Sequence, residues 1–234
     1  MRQHLFAAAA ALFTFCGTAS AAQVDIELVL AVDTSGSIDG EEYQMQHEGY
    51  AEAFSSDAVV EAIQSGAHRA IAVTYVEWSG LGHQKQLVGW TIIKDKKDAE
   101  AFGARIKEAN RSYSDWTSIS DAIDFSAKLF DDNGFEGERL VLDISGDGIN
   151  NNGRPVQAAR DDAVAKGIII NGLPILNDRP NFGRPAEAHL DRYYEDYVVG
   201  GPGSFMIAAE DFHVFARAVL AKLIREIAEL PPPR

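Results

Sequence analysis

One carboxylate and two hydroxyl groups follow an apolar run near the start of the chain. The run covers residues 29–32, and the polar side chains are Asp33, Ser35 and Ser37. A strand buried on both faces does not accommodate this pattern, so we expect these side chains where the backbone leaves the sheet. In an open α/β sheet, ligands bind at that edge. Oxygen donors gathered there predict a site for a hard divalent cation.

Two further segments place oxygen donors at comparable positions. Thr117 belongs to a polar stretch that opens a predicted helix, and Asp147-Gly148 follows the apolar run at 140–144. Each fragment alone has an ordinary explanation, because Asp-x-Ser-x-Ser can cap a helix and Asp-Gly is a common turn. Their order along the chain, each beside a predicted strand end or helix start, favours a shared metal site over three unrelated turns.

The three segments resemble the metal-ion-dependent adhesion site of the von Willebrand factor type A domain. By that resemblance the metal-site residues are Asp33, Ser35, Ser37, Thr117 and Asp147. The oxygen donors favour Mg²⁺, with Mn²⁺ or Ca²⁺ as alternatives. Two positions depart from the type A pattern, since Ser118 replaces a frequent glycine and Gly146 replaces a frequent threonine.

Two other blocks of sequence indicate a narrower relationship. Residues 144–151 and 193–203 resemble an uncharacterised family of secreted proteobacterial proteins with a type A-like domain. That family is known only as a domain of unknown function. The resemblance therefore implies a fold and a metal site without implying a partner.

The order of predicted elements indicates how the segments meet. Strands alternate with helices, which predicts a doubly wound, Rossmann-like α/β fold with a mostly parallel sheet and helices on both faces. Strands are predicted at 26–32, 70–76, 140–144, 168–173 and 205–208, with 84–93 as an antiparallel edge strand. Helices are predicted after Ser37, from about residue 98, after Thr117, at 155–166, at 193–197 and at 211–229, and a loop at 177–185.

The first 21 residues have the pattern of a signal peptide. A short basic start precedes an apolar core at 5–15, and Ala19-Ser20-Ala21 is a small-residue cleavage site. Cleavage predicts a periplasmic or secreted protein without membrane insertion, with a type A-like domain at 22–230 and a proline-rich tail at 231–234. It would also remove Cys16, the only cysteine, and with it any disulfide or thiol chemistry.

The net charge of the chain limits which classes of molecule it is expected to bind. A formal net charge of −14 argues against nucleic acid and anionic lipid. We expect a non-enzymatic module in which an Asp or Glu of a protein partner completes the coordination of the cation. The predicted partner contacts are Trp78, Trp116, Asn150, Asn151 and Asn152.

Two alternatives use the same oxygen-rich loops. A metal-assisted hydrolase acting on phosphate esters would activate water at the cation, although the sequence lacks His-Glu-x-x-His, Gly-x-Ser-x-Gly and P-loop patterns. A closed calcium site is the other, but an EF-hand beginning at Asp143 is rejected because Arg154 occupies its twelfth position. Asp143 lies inside an apolar strand and should be paired, hydrogen-bonded or protonated.

Overall fold

The computed structural model describes residues 21–176 and 187–228. The strands are β1 (Ala22–Val24), β2 (Ile26–Asp33), β3 (Ile71–Trp78), β4 (Gln84–Ile93), β5 (Phe135–Gly137), β6 (Leu140–Gly146) and β7 (Ile168–Pro174). The helices are α1 (Gly40–Phe54), α2 (Asp57–Ser65), α3 (Lys96–Lys107), α4 (Ile119–Ser126), α5 (Val156–Ala165), α6 (Leu190–Tyr193) and α7 (Phe215–Ala228). A π-helical turn, Tyr194–Val198, continues α6, and a 3₁₀ turn, Phe212–Val214, precedes α7.

Some predicted segments fall outside this range. The signal peptide up to residue 20, the loop at 177–185 and the tail at 231–234 lie outside the described residues. Among the helices that are described, none combines the length and the apolar character needed to cross a bilayer.

The central sheet has five strands in the order β4-β3-β2-β6-β7. The pairs β2–β3, β2–β6 and β6–β7 are parallel, whereas β3 and β4 are antiparallel. This confirms the α/β fold with a mostly parallel sheet and one antiparallel edge strand. The chain order changes direction between β2 and β6, and the carboxyl ends of such neighbouring strands form the crevice where open sheets bind ligands.

Alternation along β2 creates two separate cores. Leu28, Leu30 and Val32 pack toward α1, α3 and α7, whereas Val29 and Ala31 pack toward α4, α5 and α6. Because successive side chains of a strand point to opposite faces, one buried strand contributes to both layers. Helices therefore cover both faces of the sheet, as predicted.

Two features of the strands differ from the expectation. The segment 205–208 does not form a strand and makes only isolated bridges to the β7 region, at Met206 and Ala209. Part of the reason is that the Asn171 side chain accepts the Phe205 N–H at 3.0 Å, which replaces a main-chain partner. The other difference is an additional two-stranded parallel ladder between β1 and β5, whose strands have three residues each.

Arg111 fastens the loop that comes after β2. Its Nη2 donates to the carbonyl oxygens of Thr34, Ser35 and Ile38 at 2.6, 2.8 and 2.8 Å. Its guanidinium also lies 5.5 Å from the centroid of the Tyr43 ring. One charged group therefore holds three backbone positions of the loop, which fixes the directions of the side chains between them.

A buried carboxylate supports this arrangement from α1 and β3. Glu77 accepts hydrogen bonds from the Tyr43 hydroxyl at 2.7 Å and from the Ser112 N–H at 2.8 Å. The His47 ring lies 3.2 Å from the same carboxylate and is buried in the core. Glu77 thus ties α1 to the segment that carries Arg111.

Removing the Arg111 side chain should destabilise the protein. Arg111→Ala is expected to lower the free energy of unfolding by about 3 kcal/mol, because three carbonyl oxygens lose a charged donor. Urea denaturation measures the change. Arg105→Ala is the matched control, since that guanidinium is exposed and, within the described part of the chain, bonds only to the Thr91 hydroxyl at 3.0 Å; little change is expected. Equal losses in both variants would contradict the role given to Arg111.

Candidate metal centre

Asp33 ends β2 with its carboxylate fully buried. Its Oδ1 accepts the Ser35 N–H at 2.7 Å, which closes a tight turn at the end of the strand. Its Oδ2 has no hydrogen-bond partner among the described residues. A buried oxygen without a partner is costly, so Oδ2 is an oxygen to which a cation would be a favourable addition.

The two serines connect this turn to a distant carboxylate. Ser35 Oγ lies 3.0 Å from Ser37 Oγ, and Ser37 Oγ donates to Asp147 Oδ1 at 2.5 Å. Asp147 comes directly after β6, the strand that pairs with β2. Four of the five predicted oxygen donors therefore belong to one continuous cluster at the crevice between β2 and β6.

Thr117 lies beside Gly148, the residue that follows Asp147. Its Oγ1 and Cγ2 are both 3.6 Å from the position that a Cβ on Gly148 would occupy. Its N–H donates to Asn151 Oδ1 at 2.9 Å, and its carbonyl accepts from the N–H groups of Asn151 and Asn152. These bonds hold Thr117 against the loop after β6, so the structure brings all five predicted residues to the same edge of the sheet.

A further bond joins the Thr117 segment to the first loop. Gly36 N–H donates to the Asp115 carbonyl at 2.7 Å. The loop after β2 is consequently bonded both to the segment that precedes α4 and, through Ser37, to the loop after β6. The three oxygen-bearing segments constrain one another, although they come from distant parts of the sequence.

Gly146 explains one departure from the type A pattern. A Cβ at this position would lie 2.8 Å from Asp33 Oδ2 and 2.9 Å from Tyr194 Oη, distances that real Cβ atoms essentially never show. A threonine here would displace one of these two oxygens. Gly146 therefore leaves room for both, and the departure belongs to this chain's own site.

Tyr194 is a residue of this region that the sequence did not identify. Its side chain is fully buried, and its hydroxyl has no hydrogen-bond partner in the described part of the chain. Burial, followed by the charges of Asp33 and Asp147, raises the pKa of Tyr194 well above its usual value, so it stays a neutral hydroxyl. No local pattern marks it, because the surrounding aromatic residues also suit a packed helix.

The asparagines predicted as partner contacts carry internal hydrogen bonds. Asn150 Oδ1 accepts the Ser120 N–H at 2.9 Å, and Asn152 Oδ1 accepts the Leu81 N–H at 2.7 Å. Together with the Asn151–Thr117 bonds, they join the loop after β6 to the segments before α4 and after β3. Their positions around the site are thereby fixed.

The two predicted tryptophans differ in exposure. Trp78 is fully buried in the core formed with α4 and α5, so its side chain offers no surface to a partner. The expectation that it contacts a partner does not fit this position, because the last side chain of a central strand packs inward. Trp116 is 55% exposed and directly precedes Thr117, and it remains available for such a contact.

The carboxylates are strained electrostatically without a cation. Burial, and then the charge of Asp147, raises the pKa of Asp33 to about 8. Burial, with the Glu42 carboxylate as a further cause, raises the pKa of Asp147 to about 6. Neighbouring buried carboxylates resist simultaneous ionisation, and a divalent cation between them would remove that penalty.

The donor set determines which cation fits. No group of three or more histidine, cysteine, aspartate or glutamate side chains is arranged to hold a metal within residues 21–176 and 187–228. A metal held at this edge of the sheet would therefore need hydroxyl oxygens among its ligands. Carboxylate and hydroxyl oxygens suit Mg²⁺, Mn²⁺ or Ca²⁺.

Comparison with solved structures identifies the fold. Proximal thread matrix protein 1 from the mussel byssus, in a structure with a zinc-occupied MIDAS motif, aligns with a TM-score of 0.61 and 17% identity over 90% of this chain and 50% of its own. A von Willebrand factor type A protein from Catenulispora acidiphila aligns with a TM-score of 0.57 and 12% identity, over 88% of this chain and 42% of its own. The conserved hypothetical protein BatB from Bacteroides thetaiotaomicron aligns with a TM-score of 0.53 and 15% identity, over 87% of this chain and 98% of its own.

These similarities establish a von Willebrand factor type A-like fold, as the sequence predicted. The chain spans about half the length of the mussel protein, and at such low identities the likeness concerns the fold alone. No curated protein matches the sequence. The profile of one family matches residues 23–231, which is nearly all of the chain beyond the predicted signal peptide. The chain therefore belongs to the family described as "Protein of unknown function (DUF1194)".

Proposed function

We propose that the chain is a metal-dependent protein-binding module of the adhesion type. A divalent cation would be held by the five oxygen-bearing residues Asp33, Ser35, Ser37, Thr117 and Asp147. The observation that carries this proposal is Asp33 Oδ2, a buried oxygen without a partner among the described residues, in a loop that is bonded through Ser37 to a second carboxylate. The zinc-occupied motif of the mussel protein, which has the same fold, supports it.

Mg²⁺ is the cation that we propose first, with Mn²⁺ or Ca²⁺ as alternatives. The cation would supply positive charge that lets both carboxylates ionise in a buried position. The chain's own residues do the rest, since Arg111 holds the first loop and Asn151 holds Thr117. Three of the five donors are neutral hydroxyls, so a divalent cation here retains affinity for a further negative ligand.

The surroundings favour an incoming carboxylate. α1 begins at Gly40 and α4 begins at Ile119, a few residues after Ser37 and Thr117 respectively. Helix N-termini carry partial positive charge and bind anions. We therefore propose that the partner is a protein that presents an Asp or Glu to the cation, with exposed Trp116 contacting the surface around it.

The proposed location of the protein rests on its N-terminal sequence. We propose that residues 1–21 are removed on export and that the domain at 22–230 acts in the periplasm or outside the cell. The high negative charge of the chain suits a protein partner better than nucleic acid or anionic lipid.

The hydrolase alternative has less support in the geometry. The Ser35 and Ser37 hydroxyls bond to each other, and the Ser37 hydroxyl donates to Asp147. Neither bonds to a histidine among the described residues, so neither is arranged as an activated nucleophile.

Removing the Asp33 carboxylate should abolish metal binding. Asp33→Ala is expected to weaken Mg²⁺ and Mn²⁺ binding by at least about a hundredfold, because it deletes a buried carboxylate whose Oδ2 has no hydrogen-bond partner among the described residues. Isothermal titration calorimetry measures the affinity, and thermal unfolding shows that the variant is folded. Asp57→Asn is the control, since Asp57 is exposed and pairs with Lys96 on the surface. Unchanged metal affinity in folded Asp33→Ala would refute the site.

Metal binding should strengthen as the pH rises. The pKa values of Asp33 and Asp147 lie above 3.8 in the metal-free fold, at about 8 and about 6. The fold therefore holds protons that the unfolded chain has already lost, and its stability without metal falls as the pH rises from about 4 to about 8. A bound cation requires both carboxylates to be deprotonated.

The measurable consequence is the rise in Tm that Mg²⁺ produces. It should be small at pH 5 and largest near pH 8, and differential scanning calorimetry with and without Mg²⁺ measures it. In Asp33→Ala the cation should produce little rise at either pH. A rise of equal size at both pH values in the unmodified protein would contradict titrating ligands.

Protein binding should depend on the same cation. The full chain, immobilised and loaded with Mg²⁺, is expected to retain a defined protein from periplasmic extract. EDTA and the Asp33→Ala variant should both release it, whereas Asp57→Asn should retain it, and Trp116→Ala should weaken retention without changing metal affinity. Retention that persists in EDTA would show that any partner binds independently of the metal.

A further inference from the structure

A second group of charged side chains is buried in the core between the sheet and α7. Asp143 lies in β6, and Lys222 and Glu226 lie one turn apart on α7. None of the three is more than 2% exposed. Lys222 Nζ is 2.6 Å from Asp143 Oδ1, and it also bonds to Glu226 Oε1. The sequence flagged Asp143 as needing a partner, and Lys222 is that partner.

The three side chains are buried beside an aromatic ring and an amide group. Lys222 Nζ lies 5.5 Å from the centroid of the Phe205 ring. On the β7 side, Asn171 Nδ2 donates to Glu226 Oε1 at 2.9 Å. Two carboxylates and one ammonium would leave a buried net negative charge, which is costly. Transfer of one proton from Nζ to the Asp143 carboxylate leaves this net charge unchanged but reduces the number of buried charged groups from three to one.

We propose that Lys222 and Asp143 become joined by an amide bond that the folded chain forms by itself. The bond would link the side chain of α7 to that of β6, two elements that are 79 positions apart at these residues. It would be a modification site separate from the metal centre and independent of the proposed binding function.

The bond forms by condensation and releases one water molecule. The uncharged Lys222 Nζ attacks Cγ of the protonated Asp143 carboxyl, so a C–N bond forms while a C–O bond breaks. Glu226, in contact with Nζ, accepts a proton from the nitrogen and returns it to the departing hydroxyl, which leaves as water. If the pair begins as ammonium and carboxylate, one proton first passes from Nζ to the carboxylate. No oxidant or reductant is needed.

The geometry places the reacting nitrogen and carbon close together. A carboxyl C–O bond is about 1.2–1.3 Å long, so Nζ lies within about 4 Å of Asp143 Cγ, close to the 3–3.5 Å of reacting atoms held for attack. The pKa of the Asp143 carboxyl is raised to about 7, and burial is the largest cause. The neutral acid is therefore accessible near neutral pH. A desolvated lysine is also a better nucleophile than a hydrated one. Glu226 is positioned by Asn171 and can act as the proton carrier.

Peptide mass spectrometry of the purified full chain tests the proposal without any substitution. Trypsin cleaves after a free lysine but not after an acylated one. The bond predicts a single species in which residues 140–160 are joined to residues 218–225, with a mass lower than the sum of the two peptides by one water. Complete cleavage after Lys222 with a separate 140–160 peptide would overturn the proposal, as would a link from Lys222 to Glu226.

Variants identify the residues' roles. Asp143→Asn should form the same amide with loss of ammonia instead of water, so its linked product should have the same mass as that of the unmodified protein. Glu226→Gln should slow or prevent the link while Lys222 and Asp143 remain. Lys96, which pairs with Asp57 on the surface, is the internal control, and trypsin should cleave after it normally. A link that forms at full yield in Glu226→Gln would overturn the role of Glu226.

Discussion

Two buried carboxylates at neighbouring strand ends are the constraint on which the site depends. Asp33 and Asp147 lie at the ends of β2 and β6, and the charge of Asp147 is a cause of the raised pKa of Asp33. Their proximity is unfavourable without compensation. The fold nevertheless places them together and leaves Asp33 Oδ2 without a partner among the described residues. The proposed cation between them would account for an arrangement that otherwise only reduces stability.

The remaining features of the site keep this arrangement in place. Arg111 fixes the backbone of the first loop through three carbonyl oxygens, so Ser35 and Ser37 keep their directions. Gly146 provides the space that Asp33 Oδ2 and Tyr194 Oη need. Rigid neighbours of this kind reduce the cost of ordering a binding site when its ligand arrives. Away from the site, the proposed link between α7 and β6 would hold a different part of the same core.

Local sequence patterns predicted the sheet and the oxygen donors but not the contacts that hold them. Apolar runs marked the main strands, and the polar residues from Asp33 to Ser37 stood out because they interrupt one of them. Arg111 and Tyr194 carry no such signal, because their contacts join segments distant in sequence. Trp78 was expected to contact a partner because the predicted strand ended at residue 76 and left it in the following loop, yet β3 extends to Trp78 and packing on α4 buries it. Asp143 was noticed as an unusual charge, whereas its partner on α7 became visible only once that helix had been placed.

Anomalous diffraction from crystals grown with Mn²⁺ tests the central claim most directly. We expect one strong manganese peak between the Asp33 loop and Asp147, with oxygen atoms from Ser35, Ser37 and Thr117 within coordination distance, directly or through water. We also expect one coordination position of the metal to be open to solvent. A manganese peak elsewhere, or none at this edge of the sheet at saturating Mn²⁺, would contradict it.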